Sequence, residues 1–277
     1  MNRKDIYQSI QRILTVFAQT RGEVKPHFFL TGPTGSSKTY TIESLTKKMG
    51  IELITVNAAQ LTVEGISGNS VSKSLSRLRS VNGAPVIVLW DEFDKLLDLT
   101  NNGSGLSSDI KLNVQDEMLK VVEGGESEVF GDYGKYATVP CDNILHIFAG
   151  AFAGQEIEGL QHLTKFGVKP ELLGRVGLHY HLEKMPVETM VELLSKSDLL
   201  QDYCVLFSKD KEEALSVITD ELKSQYDNNI IGVRLLATLT HQYFIDGKFT
   251  SVTSNKGYQG KETKKKDLKP IQIDISH

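Results

Sequence analysis

The most constraining feature of this sequence is the octapeptide GPTGSSKT at residues 32–39, which lies between two segments of different pattern. Residues 27–31 form a short, mostly apolar run typical of a buried strand, and the residues up to Met49 have the spacing of a helix. A glycine-rich turn between a strand and a helix directs backbone amides and the helix N-terminus at one point, where an anion is stabilised. The segment therefore predicts a phosphate-binding loop.

The side chains of this loop specify its chemistry further. In the pattern G-x-x-x-x-G-K-[ST], the lysine contacts the β- and γ-phosphates of a nucleotide and the final hydroxyl binds Mg²⁺. Lys38 and Thr39 occupy these positions, and Ser37 replaces the second glycine, so we expect nucleotide binding that is weakened or altered but not abolished. The predicted nucleotide-binding residues of the loop are Gly32, Pro33, Thr34, Gly35, Ser36, Ser37, Lys38 and Thr39.

A second motif begins about fifty residues later, where the apolar run VIVLW at 86–90 is followed by Asp91 and Glu92. A carboxylate at the end of a buried strand beside a phosphate loop can hold Mg²⁺, and an acid directly after it can polarise an attacking water molecule. We therefore predict that Asp91 joins Thr39 in binding Mg²⁺ and that Glu92 is the catalytic base. The alternative is a strand end with two solvated charges, which the upstream loop disfavours.

The composition narrows the class of protein. The net charge is −4 over 277 residues, so no overall basic field favours nucleic acid or an anionic membrane. Cys141 and Cys204 lack the spacing of a metal or redox site, which predicts reduced thiols. No apolar run is long enough to cross a bilayer and the start lacks a signal-peptide pattern, so we expect a soluble, cytoplasmic protein without a membrane partner.

The distribution of patterns predicts two domains. Strands and helices alternate over residues 1–182, including an N-terminal helix at 1–20, which indicates an α/β domain with a parallel sheet. Within it, residues 71–79 have the spacing of one helix and residues 101–108 the composition of a loop. Helical patterns at 187–195, 211–225 and 233–244 predict a smaller, mostly helical lobe over 183–277, with a lysine-rich loop at 251–269 and a short terminal strand.

The motifs occur in an order that resembles the ClpX and HslU type of AAA+ ATPase. The segments that carry the resemblance are GPTGSSKT as the Walker A loop, WDEFDK at 90–95 as Walker B, VQDEMLKVVEG at 114–124, NILHIFAGAFAG at 143–154, KFGVKPELLGR at 165–175 and GVRLL at 232–236. The resemblance implies a three-layer αβα P-loop fold with a helical lid, Mg²⁺-dependent ATP hydrolysis, a hexameric ring, and a protein substrate or adaptor.

The resemblance also assigns site residues. Arg175 resembles the arginine finger that reaches the nucleotide of the neighbouring subunit, and Arg234 resembles the sensor-2 arginine that contacts the nucleotide of its own subunit. Both join Lys38 and Glu92 as predicted catalytic residues, whereas no residue is assigned as sensor 1. The segment formed by Gly65, Ile66, Ser67 and Gly68 resembles the first pore loop, with an aliphatic side chain at the usual aromatic position. Phe130, Tyr133 and Tyr136 lie on a predicted second pore hairpin.

These residues predict an ATP-driven ring that remodels proteins. Only residues 155–164 separate AFAG from KFGVKPELLGR, where ClpX carries the loop that docks on the ClpP peptidase, and no zinc-binding domain precedes residue 28. We therefore expect no coupling to ClpP. Two alternatives stay open. One is an AAA+ DNA-processing factor, favoured by the hairpin aromatics and the lysine-rich segment. The other is a nucleotide-binding scaffold with weak hydrolysis, favoured by Ser37, Ile66 and the missing sensor-1 residue.

Overall fold

The computed structural model describes residues 1–63, 69–81, 83–97 and 105–251, except for the side chains of residues 105–111 and of Asp132. The chain divides after Glu183 into two compact units, and the loop residues Thr34–Ser36 group with the second unit. Among the described helices, none has the length and apolar character that a membrane span requires.

The first unit contains a five-stranded parallel sheet and a separate antiparallel hairpin. The sheet strands are β1 (Phe28–Thr31), β2 (Glu52–Asn57), β3 (Val86–Asp91), β6 (Ile144–Gly150) and β7 (Leu178–His181), and the hairpin strands are β4 (Glu126–Phe130) and β5 (Tyr136–Pro140). The sheet order is β2-β3-β6-β1-β7, so the chain crosses between non-adjacent strands and every sheet strand runs in one direction.

Helices cover both faces of this sheet. They are α1 (Arg3–Gln19), α2 (Lys38–Met49), α3 (Val71–Ser74), α4 (Leu78–Val81), α5 (Phe93–Leu96), α6 (Gly105–Glu123), α7 (Leu160–Thr164) and α8 (Pro170–Val176). Strand β3 shows why two apolar layers form, because successive side chains of a strand point to opposite faces. Val88 and Trp90 enter one buried cluster with α6, while Leu89 enters the other with α1 and α2. The predicted three-layer αβα fold is confirmed.

Two local predictions in this unit were wrong. Residues 71–79 form two short helices, α3 and α4, with a turn between them, although Val71, Leu75 and Leu78 are all buried as the helical spacing indicated. The backbone can therefore turn without moving those side chains out of the core. Helix α6 begins at Gly105, inside the segment predicted as a loop, because burial of Val114 and Met118 favours a long helix over the weak preference of its polar first turn.

The second unit is helical. It contains α9 (Val187–Ser195), α10 (Asp198–Leu206), α11 (Lys211–Gln225) and α12 (Arg234–His241), followed by a π-helical turn at Gln242–Asp246. Helix α10 was not predicted, because Leu200 and Cys204 are its only buried apolar residues and give a weak periodic signal. Residues 252–277, with most of the lysine-rich segment and the predicted terminal strand, lie outside the described residues.

Two glycines pack closely in the second unit. The Val233 amide donates to the Gly35 carbonyl oxygen at 3.1 Å. A β-carbon on Gly35 would lie 2.2 Å from the Ile231 carbonyl oxygen, and one on Gly232 would lie 2.5 Å from the Gly35 oxygen. Neither position therefore accepts a larger side chain without a backbone shift.

Three buried side chains of the first unit, Trp90, His146 and His27, are linked by hydrogen bonds. Trp90 Nε1 donates to His146 Nδ1 at 3.1 Å, and the His146 amide donates to His27 Nδ1 at 3.0 Å. Both Nδ1 atoms must be unprotonated to accept these bonds. Burial, helped by the charge of Lys25, lowers the pKa of His27 to about 4, and burial lowers the pKa of His146 well below its ordinary value. The fold therefore holds both rings neutral.

We predict that acid destabilises the fold through these histidines. Their pKa is lower in the folded than in the unfolded state, so the unfolded chain binds more protons below pH 6.5 and stability falls as the pH drops from about 6.5 towards 4. At pH 5 the His27 ring alone should cost up to about 2 kcal/mol. Urea denaturation at pH 7.5 and pH 5.0 measures this loss.

His27→Asn is the informative variant, because its side-chain oxygen can accept the bond from the His146 amide without titrating. It should reduce the loss between the two pH values, whereas His241→Asn in the second unit should not. An unchanged pH dependence in His27→Asn would contradict the assignment.

Candidate nucleotide site

The loop between β1 and α2 has the backbone conformation of a phosphate cradle. Gly32, Gly35 and Ser37 all have positive φ, at 147°, 72° and 69°. Ser37 thus keeps the left-handed conformation that glycine would adopt freely and that costs an L-residue roughly 1–2 kcal/mol. Its side chain makes no capping hydrogen bond to α2 that would offset this cost. The loop therefore keeps the same backbone shape with serine at position 37 as it would with glycine, but the serine conformation is strained.

Lys38 is held against the carbonyl groups of this loop. Only 8% of the residue is exposed, and its Nζ donates to the Gly32 oxygen at 2.7 Å and to the Pro33 oxygen at 3.1 Å. An ammonium group stays charged at such a site only with acceptors close by. Phosphate oxygens are stronger acceptors of the same kind. The position of Lys38 therefore fits a nucleotide phosphate.

The predicted metal ligands lie in contact. Thr39 Oγ1 donates to Asp91 Oδ2 at 2.7 Å, and the other carboxylate oxygen of Asp91 accepts the amide of Glu92 at 2.9 Å. A hydroxyl and a carboxylate are oxygen ligands of the type Mg²⁺ takes, with phosphate and water completing its octahedron. The residues present therefore fit a Mg²⁺–nucleotide complex.

Glu92 lies at a bend between β3 and α5. Its φ of 55° is left-handed, and its side chain is exposed beside Asp91. The next residue, Phe93, is fully buried and anchors the bend. Left-handed non-glycine residues cluster at functional sites, where surrounding packing holds them in place. The bend leaves the Glu92 side chain exposed directly after Asp91 in the chain.

The end of β6 explains why no sensor-1 residue could be assigned. A β-carbon on Gly150 would lie 2.7 Å from the Phe152 ring and 2.8 Å from Asp94 Oδ1. The Asp94 carboxylate also accepts the Ala151 amide at 3.0 Å. Asp94 and Phe152 thus fill the space that a side chain here would need. Sequence reasoning did not single out Asp94, although the third acid of WDEFDK was a visible signal.

Arg175 lies at the exposed end of α8. Its side chain is 58% exposed and donates to Glu123 Oε1 at 2.9 Å. The buried Gln115 fixes the chain before α8: its amide nitrogen donates to the Gly167 oxygen at 3.0 Å, and its oxygen accepts the Lys169 amide at 2.9 Å. The guanidinium is therefore presented on the surface of the first unit.

The other predicted residues fall into three groups. Arg234 is exposed at the first position of α12, in the second unit. The segment Gly65, Ile66, Ser67 and Gly68 lies outside the described residues. The predicted hairpin of β4 and β5 is present: Phe130 packs edge-on against Tyr136 with ring centroids 5.9 Å apart, while Tyr133 at the turn is 100% exposed.

A parallel sheet of this order, a strained phosphate loop at the end of β1 and a hydroxyl–carboxylate pair beside it define a P-loop nucleoside triphosphatase. Residues 24–179 match the family described as AAA domain (Cdc48 subfamily), and the chain belongs to that family. It is a ClpX-like AAA+ ATPase, an ATP-hydrolysing enzyme, which confirms the family expected from the motif order.

Similar proteins include ATP-binding subunits ClpX of the ATP-dependent Clp protease. That of Porphyromonas gingivalis is 26% identical over 300 residues, covering 91% of this chain and 72% of the relative. That of Treponema denticola is 26% identical, covering 81% of this chain and 66% of the relative. That of Azotobacter vinelandii is 27% identical, covering 71% of this chain and 54% of the relative.

We predict that Ser37→Gly stabilises the folded protein, because glycine adopts the left-handed loop conformation without the strain that Ser37 already carries in the structure. The expected gain in the free energy of unfolding is up to roughly 1 kcal/mol, since the greater chain entropy of glycine in the unfolded state offsets part of the relief. Urea denaturation measures it. Ser37→Ala removes only the hydroxyl, keeps the strain and should stay within about 0.5 kcal/mol of the wild type. Lower stability of Ser37→Gly would show that the conformation of residue 37 is not strained.

Proposed function

We propose that this ATPase works as a hexameric ring that uses ATP to remodel a protein target. The observation that carries the proposal is the assembled group of Lys38, Thr39 and Asp91 at the end of the sheet, together with an arginine presented on the same unit's surface. ATP and Mg²⁺ would bind at this group. Closed rings arise when a head-to-tail interface repeats around an axis.

The residues of one subunit would divide the chemistry among them. Lys38 would exchange the carbonyls of its own loop for the β- and γ-phosphates, and Thr39 and Asp91 would hold Mg²⁺, which supplies charge neutralisation when bound. Glu92 would orient and polarise the attacking water. Arg234 would contact the nucleotide of its own subunit, as the resemblance to the sensor-2 arginine implies.

Arg175 would complete the site of the neighbouring subunit. Its ion pair with Glu123 is largely exposed and therefore weak, so the guanidinium can exchange this partner for a phosphate at little cost. An arginine that stabilises the transferring phosphoryl group is worth about 10³–10⁵ in rate. The active unit would then be an oligomer.

We predict that a mixing experiment separates action in trans from action in cis. Arg175→Ala and Glu92→Gln should each lose at least about 100-fold in ATP turnover. In mixed rings, a Glu92→Gln subunit donates its arginine to the intact base of an Arg175→Ala neighbour, and activity should return to a sizeable fraction of the wild type. Glu123→Gln, which loses only the resting partner, should keep near-normal turnover. Mixtures that stay inactive, in particles whose mass confirms co-assembly, would contradict the ring site.

Contact with the protein target would involve the β4–β5 hairpin. Phe130 and Tyr136 pack on each other and Lys73 lies 5.5 Å over the Phe130 ring, so these aromatics mainly stabilise the hairpin. Tyr133 is fully exposed on a left-handed turn. A rigid aromatic at a loop tip offers large contact area at low entropic cost. Gly65, Ile66, Ser67 and Gly68 would form a second contact.

We predict that Tyr133→Ala weakens binding of an unfolded polypeptide, such as labelled casein, about fivefold or more, because the aromatic contact is lost. Tyr133→Phe keeps the ring and should bind as the wild type does. Fluorescence anisotropy in the Glu92→Gln background with ATP measures this, while ATP turnover of Tyr133→Ala alone should be unchanged. Equal binding by all forms would remove the hairpin tip from the substrate contact.

A DNA-processing role is the second candidate, because the exposed Tyr133 beside Lys135 could also stack on single-stranded bases. The net charge of −4 disfavours it. Gel shifts with single- and double-stranded DNA at rising salt decide the matter, since phosphate contacts weaken steeply with salt. Tight, salt-sensitive binding would show that the target is DNA and not a protein.

The third candidate is a scaffold with weak hydrolysis. It predicts that the protein binds nucleotide well but shows very little steady-state ATP turnover, so measuring both quantities tests it.

The absence of ClpP coupling and the cytoplasmic location stay predictions. Between Gly154 and Lys165 the described chain forms only a short connection and α7, which leaves little surface for docking a peptidase. A stable, ATP-dependent complex recovered with ClpP would overturn the first prediction.

A further inference from the structure

Two histidines of the edge strand β7 converge on the root of the phosphate loop. His179 and His181 are two residues apart, so they lie on the same face of the strand. His179 Nε2 and His181 Nδ1 each lie 2.8 Å from the hydroxyl oxygen of Thr31, which is itself fully buried. All three residues belong to the first unit. The cluster is separate from the Thr39–Asp91 pair.

The cluster is connected to the loop through Thr31. Thr31 is the last residue of β1, and its carbonyl accepts the Leu182 amide at 2.8 Å. The next residue, Gly32, provides the carbonyl that accepts Lys38 Nζ at 2.7 Å. The carbonyl that holds the loop lysine therefore belongs to the residue next to Thr31, whose hydroxyl both histidine rings contact.

The hydrogen bonds leave one ring able to gain a proton. A threonine hydroxyl donates once and accepts up to two bonds. When His181 Nδ1–H donates to Thr31, the hydroxyl can donate onward to an unprotonated His179 Nε2. Burial, and then the charge of His181, lowers the pKa of His179 to about 4, so that ring stays neutral. A proton on His181 thus fits the geometry without breaking a hydrogen bond.

The charges that act on His181 come from three parts of the chain: Glu156 before α7, Glu183 after β7 and Lys38 in α2. Burial lowers its pKa, Glu156 and Glu183 raise it, and Lys38 lowers it. Phosphate groups bound at Lys38 would offset the lysine charge that opposes protonation of His181, and because Mg-ADP as a whole is an anion, its binding would add net negative charge nearby. A nearby negative charge favours the charged form of a histidine.

We propose that His181 takes up a proton when nucleotide phosphates bind at Lys38, so that nucleotide binds more tightly as the pH falls from 8 to 6. His181 is then a positioning residue of the phosphate loop, acting through Thr31 and through the electrostatic field at Lys38. The inference rests on the proposed nucleotide contact of Lys38. By linkage, proton uptake and the pH dependence of affinity are one quantity measured in two ways.

Calorimetric titration of the full chain with Mg-ADP, in buffers of different ionisation enthalpy at the same pH, counts the protons taken up. The wild type should take up roughly half a proton more near pH 6.5 than His181→Gln, which hydrogen-bonds but does not titrate. Its ADP affinity should rise about threefold to tenfold from pH 8 to pH 6, and that rise should be smaller in His181→Gln. Protonation of the nucleotide itself cancels in this difference.

His162→Gln on α7 is the matched control and should behave as the wild type. Thr31→Val removes the shared hydroxyl and should also reduce the uptake, which supplies the test if His181→Gln lowers the melting temperature strongly. Equal uptake and equal pH dependence in the wild type and the folded variants would overturn the proposal while leaving the nucleotide site intact. Absence of ADP binding by the wild type would contradict the site itself, and the proposal with it.

Discussion

The hydrogen bond between Thr39 and Asp91 depends on the parallel sheet, and the proposed nucleotide site needs both of these residues side by side. Thr39 follows β1 and Asp91 ends β3, and β6 lies between the two strands. Because all five strands run in one direction, the residues that follow them gather at one edge. Buried side chains on both faces of β3 and β6 fix the strands, so the 2.7 Å contact is maintained by the core and not by the loop alone.

The site carries backbone strain that this core must offset. Ser37 and Glu92 both adopt left-handed conformations, one at the start of α2 and the other at the start of α5. Neither side chain caps its helix. Each conformation is held by the buried residues that follow it, Ile42 in α2 and Phe93 in α5. Strain of this kind places a functional group where an unstrained turn would not. It is retained because the packing of the sheet and its helices stabilises the fold by more than the strain costs.

The predicted phosphate and metal residues Lys38, Thr39 and Asp91 are present, while Ser37 departs from the glycine pattern. Asp94 and Phe152 occupy the space at the end of β6, and two histidines support the root of the loop through Thr31. These features belong to an ATPase that is about a quarter identical to its ClpX relatives, with 26% for that of Porphyromonas gingivalis.

The sequence by itself determined the α/β class, the loop at residues 32–39 and the acids at 91 and 92, because these depend on local period and on residue types with fixed chemistry. It also located α9 and α11, whose apolar spacing is regular. Only the tertiary structure decided the break between α3 and α4, the start of α6, the filled position at Gly150, and the meeting of His179 and His181 with Thr31. These features arise from contacts between residues as far as 150 positions apart, and a local pattern carries no information about which distant surface a side chain will meet.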